Sequence, residues 1–232
     1  MKITYLSHSC FLLETASHRL IIDPFLTGNP LAPVKAADIA CDYVLVTHGH
    51  ADHVGDAVDI AKRNDATIIS SYEVATWLSQ QGAKAHGMGL GGAFKFPFGR
   101  VKLTIAFHSS GYPAPEGSAG GFIYLGVPAG MLIELEGKTV YHAGDTALTV
   151  EMQLLGERNK IDVAMLPIGD NFTMGPEDAA AAAEMLKAGM VLPMHYNTFD
   201  VIKQDPAVFL ALLAERGLHH GRAPKIGETI TV

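Results

Sequence analysis

The chain has 232 residues, 48% apolar and 18% charged, with a formal net charge of −7. That composition excludes a disordered chain, and the lack of any Lys/Arg-rich run argues against a nucleic-acid partner. The two cysteines, Cys10 and Cys41, form no C-x-x-C pair, and no run approaches the ~20 apolar residues of a membrane span, so a soluble protein in the reducing cytoplasm is expected.

Three short strands are predicted first, at Lys2 to Leu6, Cys10 to Glu14 and His18 to Asp23, where Pro24 stops the third. Tyr43-Val44-Leu45-Val46-Thr47 reads as a strand buried on both faces. A histidine-rich run follows it, then a helix over Val54 to Arg63, a strand at Thr67 to Ser70, and a helix over Tyr72 to Gln81 with Tyr72, Ala75 and Leu78 on one face. Gly82 to Gly99 is glycine-rich and reads as loop with short strands. Val101, Leu103, Ile105 and Phe107 alternate along a half-buried strand ending at His108. Ser109 to Gly120, with two glycines before its end and two prolines, is expected to be an irregular loop. Strands are then predicted at Gly121 to Val127, Met131 to Glu136 and Thr139 to His142, a helix at Thr149 to Glu157, and a strand at Asp162 to Leu166. Pro176 to Lys187 carries the strongest helix signal, with Pro176 at a first-turn position and Glu177 and Asp178 where the dipole favours anions. A short strand, Val191 to Met194, delivers His195, and a last helix covers Pro206 to Glu215. This order suits one α+β domain over residues 1–232, built from two similar halves meeting near residue 110. Two mixed sheets face to face, with helices outside each, give a four-layer αββα sandwich.

His48, His50, Asp52 and His53 fall within six residues, and all are ligand types for a divalent ion of borderline softness. His48 and His50 are two apart on an extended segment and can point the same way. Asp52 and His53 sit at the turn into the next helix and can face another. One loop at the end of a buried strand can thus feed two adjacent ions. His108, Asp145 and His195 each lie at another strand end, where metal ligation and ordinary hydrogen bonding are both open readings for a single residue; their shared placement favours ligation.

In these residues the chain resembles the metallo-β-lactamase superfamily. Its H-x-H-x-D-H signature is met by His48, His50, Asp52 and His53. Ser7-His8-Ser9-Cys10-Phe11, Asp23-Pro24-Phe25 and His142-Ala143-Gly144-Asp145-Thr146 resemble its small single-domain metal-dependent hydrolase branch, which is similar to bacterial ascorbate-phosphate lactonase. The resemblance implies an αββα sandwich with two divalent ions at one edge. It assigns His48, His50 and His108 to one ion, Asp52, His53 and His195 to the other, and Asp145 as a bridge. Zinc suits the His/Asp donor set best; manganese, iron and nickel also fit. No Cys stands at a ligand place, unlike in some true β-lactamases. The chain is also too short for the extra domain of nuclease relatives, and it lacks the flavin extension of diiron oxidoreductases.

The expected function is hydrolysis of a small-molecule lactone, ester, amide or phosphodiester by water activated between two cations. A diiron oxidoreductase and a non-catalytic metal-binding protein of the same fold are the alternatives. Asp52 and Asp145 are the central catalytic candidates. His8 is read as orienting a ligand or touching substrate, Asp23 as accepting a proton from a ligand imidazole, and His142 as a packing or supporting residue. Asn171 and Tyr196 could each donate to a substrate oxygen or satisfy backbone groups. Homo-oligomer formation stays open.

Overall fold

The computed structural model describes residues 1–118 and 120–232. Ala119, inside the stretch 109–120 expected to be irregular, lies outside the described residues. The first sheet is built from β1 (Lys2–Tyr5), β2 (Phe11–Glu14), β3 (Arg19–Ile22), β4 (Tyr43–Leu45), β5 (Thr67–Ser71) and β6 (Lys84–Met88). β1 to β3 run antiparallel as hairpins, and β3 to β6 run parallel. The second sheet holds β7 (Ala93–Phe96), β8 (Gly99–Ile105), β11 (Ala129–Leu135), β12 (Lys138–His142), β13 (Val163–Pro167) and β14 (Val191–Met194), while β9 (Gly111–Pro113) and β10 (Phe122–Tyr124) form a separate ribbon. The last strand, β15 (Thr229–Thr231), returns to pair with β1.

Alternation along the parallel strands explains the layering. Leu20, Ile22, Leu45 and Ile69 share a core with Val101, Leu103, Met131 and Ile133 of the second sheet. Their neighbours Ile21, Val44, Val46 and Ile68 turn the other way, onto Ala57, Ile60, Val74 and Leu78. Those last four lie on α2 (Ala57–Asn64) and α3 (Tyr72–Ser79), which follow α1 (Ala51–Val54). On the far side, α4 (Glu151–Arg158), α5 (Pro176–Leu186) and α6 (Pro206–Glu215) pack together over the second sheet. Ala179, Ala180, Ala182 and Ala183 of α5 are fully buried, so this helix can approach closely. The αββα sandwich is therefore the observed fold.

Several boundaries differ from expectation. The chain leaves the first sheet after Met88 and enters the second at Ala93, well before residue 110. The glycines at 89, 91 and 92 make that crossing, and periodicity alone does not say which sheet a strand joins. The helix expected over Val54 to Arg63 is two helices broken at Gly55, whose φ of 42° and close approach to Pro24 O admit only glycine. In α3, Val74, Ala75 and Leu78 face the core, while Tyr72 is exposed. Phe107 is also exposed, because the chain has left β8 after Ile105. The loop expected from 109 contains β9, which pairs with β10, so the strand expected at Gly121 to Val127 belongs to this ribbon and not to the sheet. Among the described residues no helix is long and apolar enough to cross a membrane.

Candidate metal centre

The parallel strands place their C-terminal ends along one edge, where loops can hold functional groups. Asp23 follows β3, His48 follows β4, Asp145 follows β12 and His195 follows β14, while His108 follows the antiparallel β8. Ser7, His8, Asp23, His195 and Asn197 all have positive φ. Left-handed backbone at so many non-glycine residues is costly and clusters where a constellation must be held.

Two groups of donor atoms converge. The first is His48, His50 and His108, and the second is His8, Asp52, His53 and His195; within each, the atoms lie within 4.8 Å of one another. Asp145 lies between them. Its Oδ2 is 2.9 Å from His195 Nε2, 3.2 Å from His53 Nε2, 3.6 Å from His108 Nε2 and 4.0 Å from His48 Nε2. All seven residues assigned to metal by the sequence are thus brought together.

Asp23 sets the protonation pattern. Its carboxylate can only accept, so Thr47 Oγ1 donates to Oδ2 at 2.7 Å and Thr47 N donates to Oδ1 at 2.8 Å. The hydroxyl proton being committed, Thr47 Oγ1 accepts from His48 Nδ1 at 3.0 Å, which leaves a lone pair on His48 Nε2. His53 Nδ1 donates to Asp23 Oδ2 at 2.7 Å, leaving the same on its Nε2. His50 Nε2 pairs with Ser109 Oγ at 3.2 Å, so its Nδ1 points inward. His48 Nε2 and His108 Nε2 then stand 3.0 and 3.2 Å from His50 Nδ1. With His50 Nε2–H donated to Ser109 Oγ, the His50 Nδ1 lone pair faces these nitrogens, an arrangement that a cation between them satisfies. A tetrahedral ion with Zn–N bonds of about 2.0–2.1 Å would separate its ligands by about 3.3 Å, which matches. His53 Nε2 and Asp145 Oδ1 are moreover buried without a hydrogen-bond partner. The donor set fits divalent metal.

The electrostatics agree. Burial, reinforced by neighbouring His53, holds His48 well below the usual imidazole range, and burial likewise lowers His50 and His108. Burial alone would raise the Asp145 carboxyl, but His195 and His53 hold it well below the ordinary range, so it is ionised. Burial opposes charge on His53, yet Asp145 and Asp23 raise it well above the usual value. A proton and a divalent cation compete for that same Nε2 lone pair. Burial pushes the Cys41 thiol up to about 12 and Cys10 well up, so neither offers a thiolate.

The remaining candidates separate. His8, buried and lowered to about 4 by burial and by His195, is neutral; its Nε2 donates to Asp52 Oδ2 at 3.2 Å and its Nδ1 accepts from Thr198 Oγ1 at 2.9 Å. Burial would raise Asp52, but the His8 hydrogen bond and His53 keep it strongly lowered and ionised. His142 donates from Nε2 to Ser9 O and accepts from Gly144 N at Nδ1, which braces the loop carrying Asp145. Tyr196 stacks on Tyr5. Asn171 is exposed and makes no hydrogen bond to the cluster among the described residues, so the structure does not bring it into the centre.

Two residues escaped sequence reasoning. Ser110 Oγ accepts from Gly49 N at 2.9 Å, between the two ligand histidines, and donates to Leu125 O at 3.1 Å. Thr198 orients His8 from 190 residues away. Position just after His108 and His195 was the available signal.

Residues 2–195 match the model of the beta-lactamase superfamily domain. The chain belongs to the metallo-β-lactamase superfamily. A UPF0173 metal-dependent hydrolase of Anoxybacillus flavithermus is 56% identical over 230 residues, covering 99% of each chain. One of Bacillus cytotoxicus is 53% identical over the whole of both chains. Among solved structures, Igni18, a metallo hydrolase of the archaeon Ignicoccus hospitalis, superposes with a TM-score of 0.88 at 39% identity, covering 99% of this chain and 97% of its own. The isothiocyanate hydrolase of Delia radicum gut bacteria, at 23% identity and a TM-score of 0.79, shares the fold over 100% of this chain and 99% of its own. This superfamily member is a metal-dependent hydrolase.

Asp23 is the supporting residue whose loss is most informative. Asp23→Ala should weaken metal affinity about 10–100-fold, because His48 and His53 lose the hydrogen-bond chain that fixes their tautomers. Competition against a chelating dye reads this directly, and unchanged affinity would show that the tautomers are held some other way.

Proposed function

We propose that the enzyme is a dinuclear metallohydrolase that activates water against a small-molecule substrate. His48, His50 and His108 would hold one ion, and Asp52, His53 and His195 the second, with Asp145 shared. The carrying observation is Asp145 Oδ2, 2.9 to 4.0 Å from four imidazole nitrogens that belong to both groups. Such ions, when bound, would supply water activation and polarisation of the bond to be cleaved. Zinc is the ion best matched to these nitrogen and carboxylate donors.

The chain's own residues supply positioning. Asp52, ionised and held by His8, is placed to orient the attacking water. His8 is fixed in turn by Thr198, so Asp52 cannot swing freely. Asp145 stays ionised in a buried site and holds the two histidine groups in register. His50, His108 and Asp52 are the partly open members, the last two with 13% and 27% side-chain exposure, so substrate enters from their side.

The test is turnover of a panel of lactones, esters, amides and phosphodiesters by protein reconstituted with zinc, manganese, iron or nickel. Metal-dependent hydrolysis of one class by wild type, absent after chelation, is the expected result. Equal turnover by metal-free protein would overturn the reading.

A further inference from the structure

Two cavities flank the centre. One, of about 480 Å³, opens against His50 and His108 and is lined further by Ser109, Phe122, Tyr124 and Val127. The other, of about 510 Å³, reaches Asp52 and is walled by Phe25, Tyr112 and Phe199, with Asp56 beside them. Both volumes suit small molecules. Among the described residues, no Lys or Arg lines either one. The formal charges present are the carboxylates of Asp52 and Asp56, and Glu73 closes on Gly126 at the wall of the first cavity.

This lining discriminates between substrate classes. An anionic substituent away from the reacting bond needs a cation or a fork of donors for company. Here it would meet carboxylates and aromatic rings. The apolar wall, by contrast, has unmet capacity. Phe122 is 71% exposed, Tyr124 76% and Val127 48%, on the ribbon and the strand approach next to two candidate ligands. A ligand group laid against them removes that surface from water.

We propose that the substrate is a small neutral ester or lactone whose apolar substituent lies against Phe122, Tyr124 and Val127, with its carbonyl at the His50–His108 side of the centre. This rests on the hydrolytic reading given above. Hydrolysis forms a bond from the water oxygen to the carbonyl carbon, breaks the bond to the ester oxygen and returns a proton to that oxygen. The products are a hydroxyl group, a carboxylate and one released proton. A phosphorylated lactone of the kind suggested by family resemblance is disfavoured, because among the described residues neither cavity lining offers its phosphate a Lys or Arg partner.

The experiment uses zinc-reconstituted full-length protein and a series of γ-alkyl lactones from γ-valerolactone to γ-nonalactone, with γ-carboxy-γ-butyrolactone as the anionic counterpart. kcat/KM, and binding measured separately by calorimetry, should rise about two- to fourfold for each added methylene. In the double variant Phe122→Ser/Tyr124→Ser both trends should flatten, with the loss relative to wild type growing with chain length. These side chains are exposed, so the variant keeps its fold. A wild-type response independent of chain length, or kcat/KM for the carboxylated lactone above that for the longest alkyl lactone, would overturn the assignment. Chain-length-dependent binding without turnover of any probe would support the cavity's preference and count against the hydrolytic reading of the centre.

Discussion

Asp145→Asn should lower bound metal and reduce kcat/KM by about a thousandfold or more, with Asp145→Ala doing the same. The asparagine variant is the sharper test, since it preserves volume and changes only charge and donor chemistry. Asp145 is 2% exposed and its carboxylate stands among four imidazoles drawn from both donor groups. Replacing it leaves His53 and His195 facing an amide that can no longer neutralise a cation. Removing one partner of such a buried charged set also costs about 3–5 kcal/mol, so the alanine variant should melt earlier as well. Metal analysis and steady-state kinetics on the same preparation separate the two effects. Hydrolysis unchanged in the asparagine variant would remove Asp145 from the bridging position.

Metal removal should have the second largest effect. The seven candidate ligands come from α1 and from the loops after β4, β8, β12 and β14, and they converge only in the folded chain. Metal that binds this arrangement and not the unfolded chain stabilises it by about 4 kcal/mol when free ion stands at roughly a thousand times Kd. For a chain of this size each kcal/mol moves Tm by about 2–4 °C. Chelation should therefore lower Tm by about 8–16 °C, and restoring zinc should return it. A Tm indifferent to chelator would mean that the histidine cluster holds no ion with useful affinity. The Asp23→Ala variant should show a smaller metal-induced shift than wild type, in proportion to its weaker binding.

Much of the centre was readable because its ligands are tied to local pattern. The spacing of His48, His50, Asp52 and His53 follows a continuous apolar strand, and a strand of that kind ends at a sheet edge. His108, Asp145 and His195 also end or closely follow apolar segments, so their meeting could be expected from the placement of strand ends. The four-layer fold was legible for the same reason, since alternation at Leu20-Ile21-Ile22 and Val44-Leu45-Val46 sorts residues between two cores.

What was not legible depends on three-dimensional approach. Gly55 breaks a helix because Pro24 O occupies the space of its absent side chain, a contact across 31 positions that no helical period encodes. Tyr112 and Ile123 pair in a ribbon detached from either sheet, where the sequence offered only glycines and prolines on one side and a strand pattern on the other. Ser110 and Thr198 act by hydroxyl hydrogen bonds to distant partners, and a lone hydroxyl has no signature. Asn171 shows the converse. A polar residue after a strand suggests a site, yet the turn carries it into solvent.

Dinuclearity is the claim on which the mechanism depends, and counting metal tests it most directly. Protein saturated with zinc, freed of loosely held ions and analysed by plasma emission should contain two equivalents per chain. His50→Ala and His195→Ala, which affect different donor groups, should each reduce that number to about one. A wild-type plateau at one equivalent, abolished by one of these substitutions and untouched by the other, would contradict a two-ion centre.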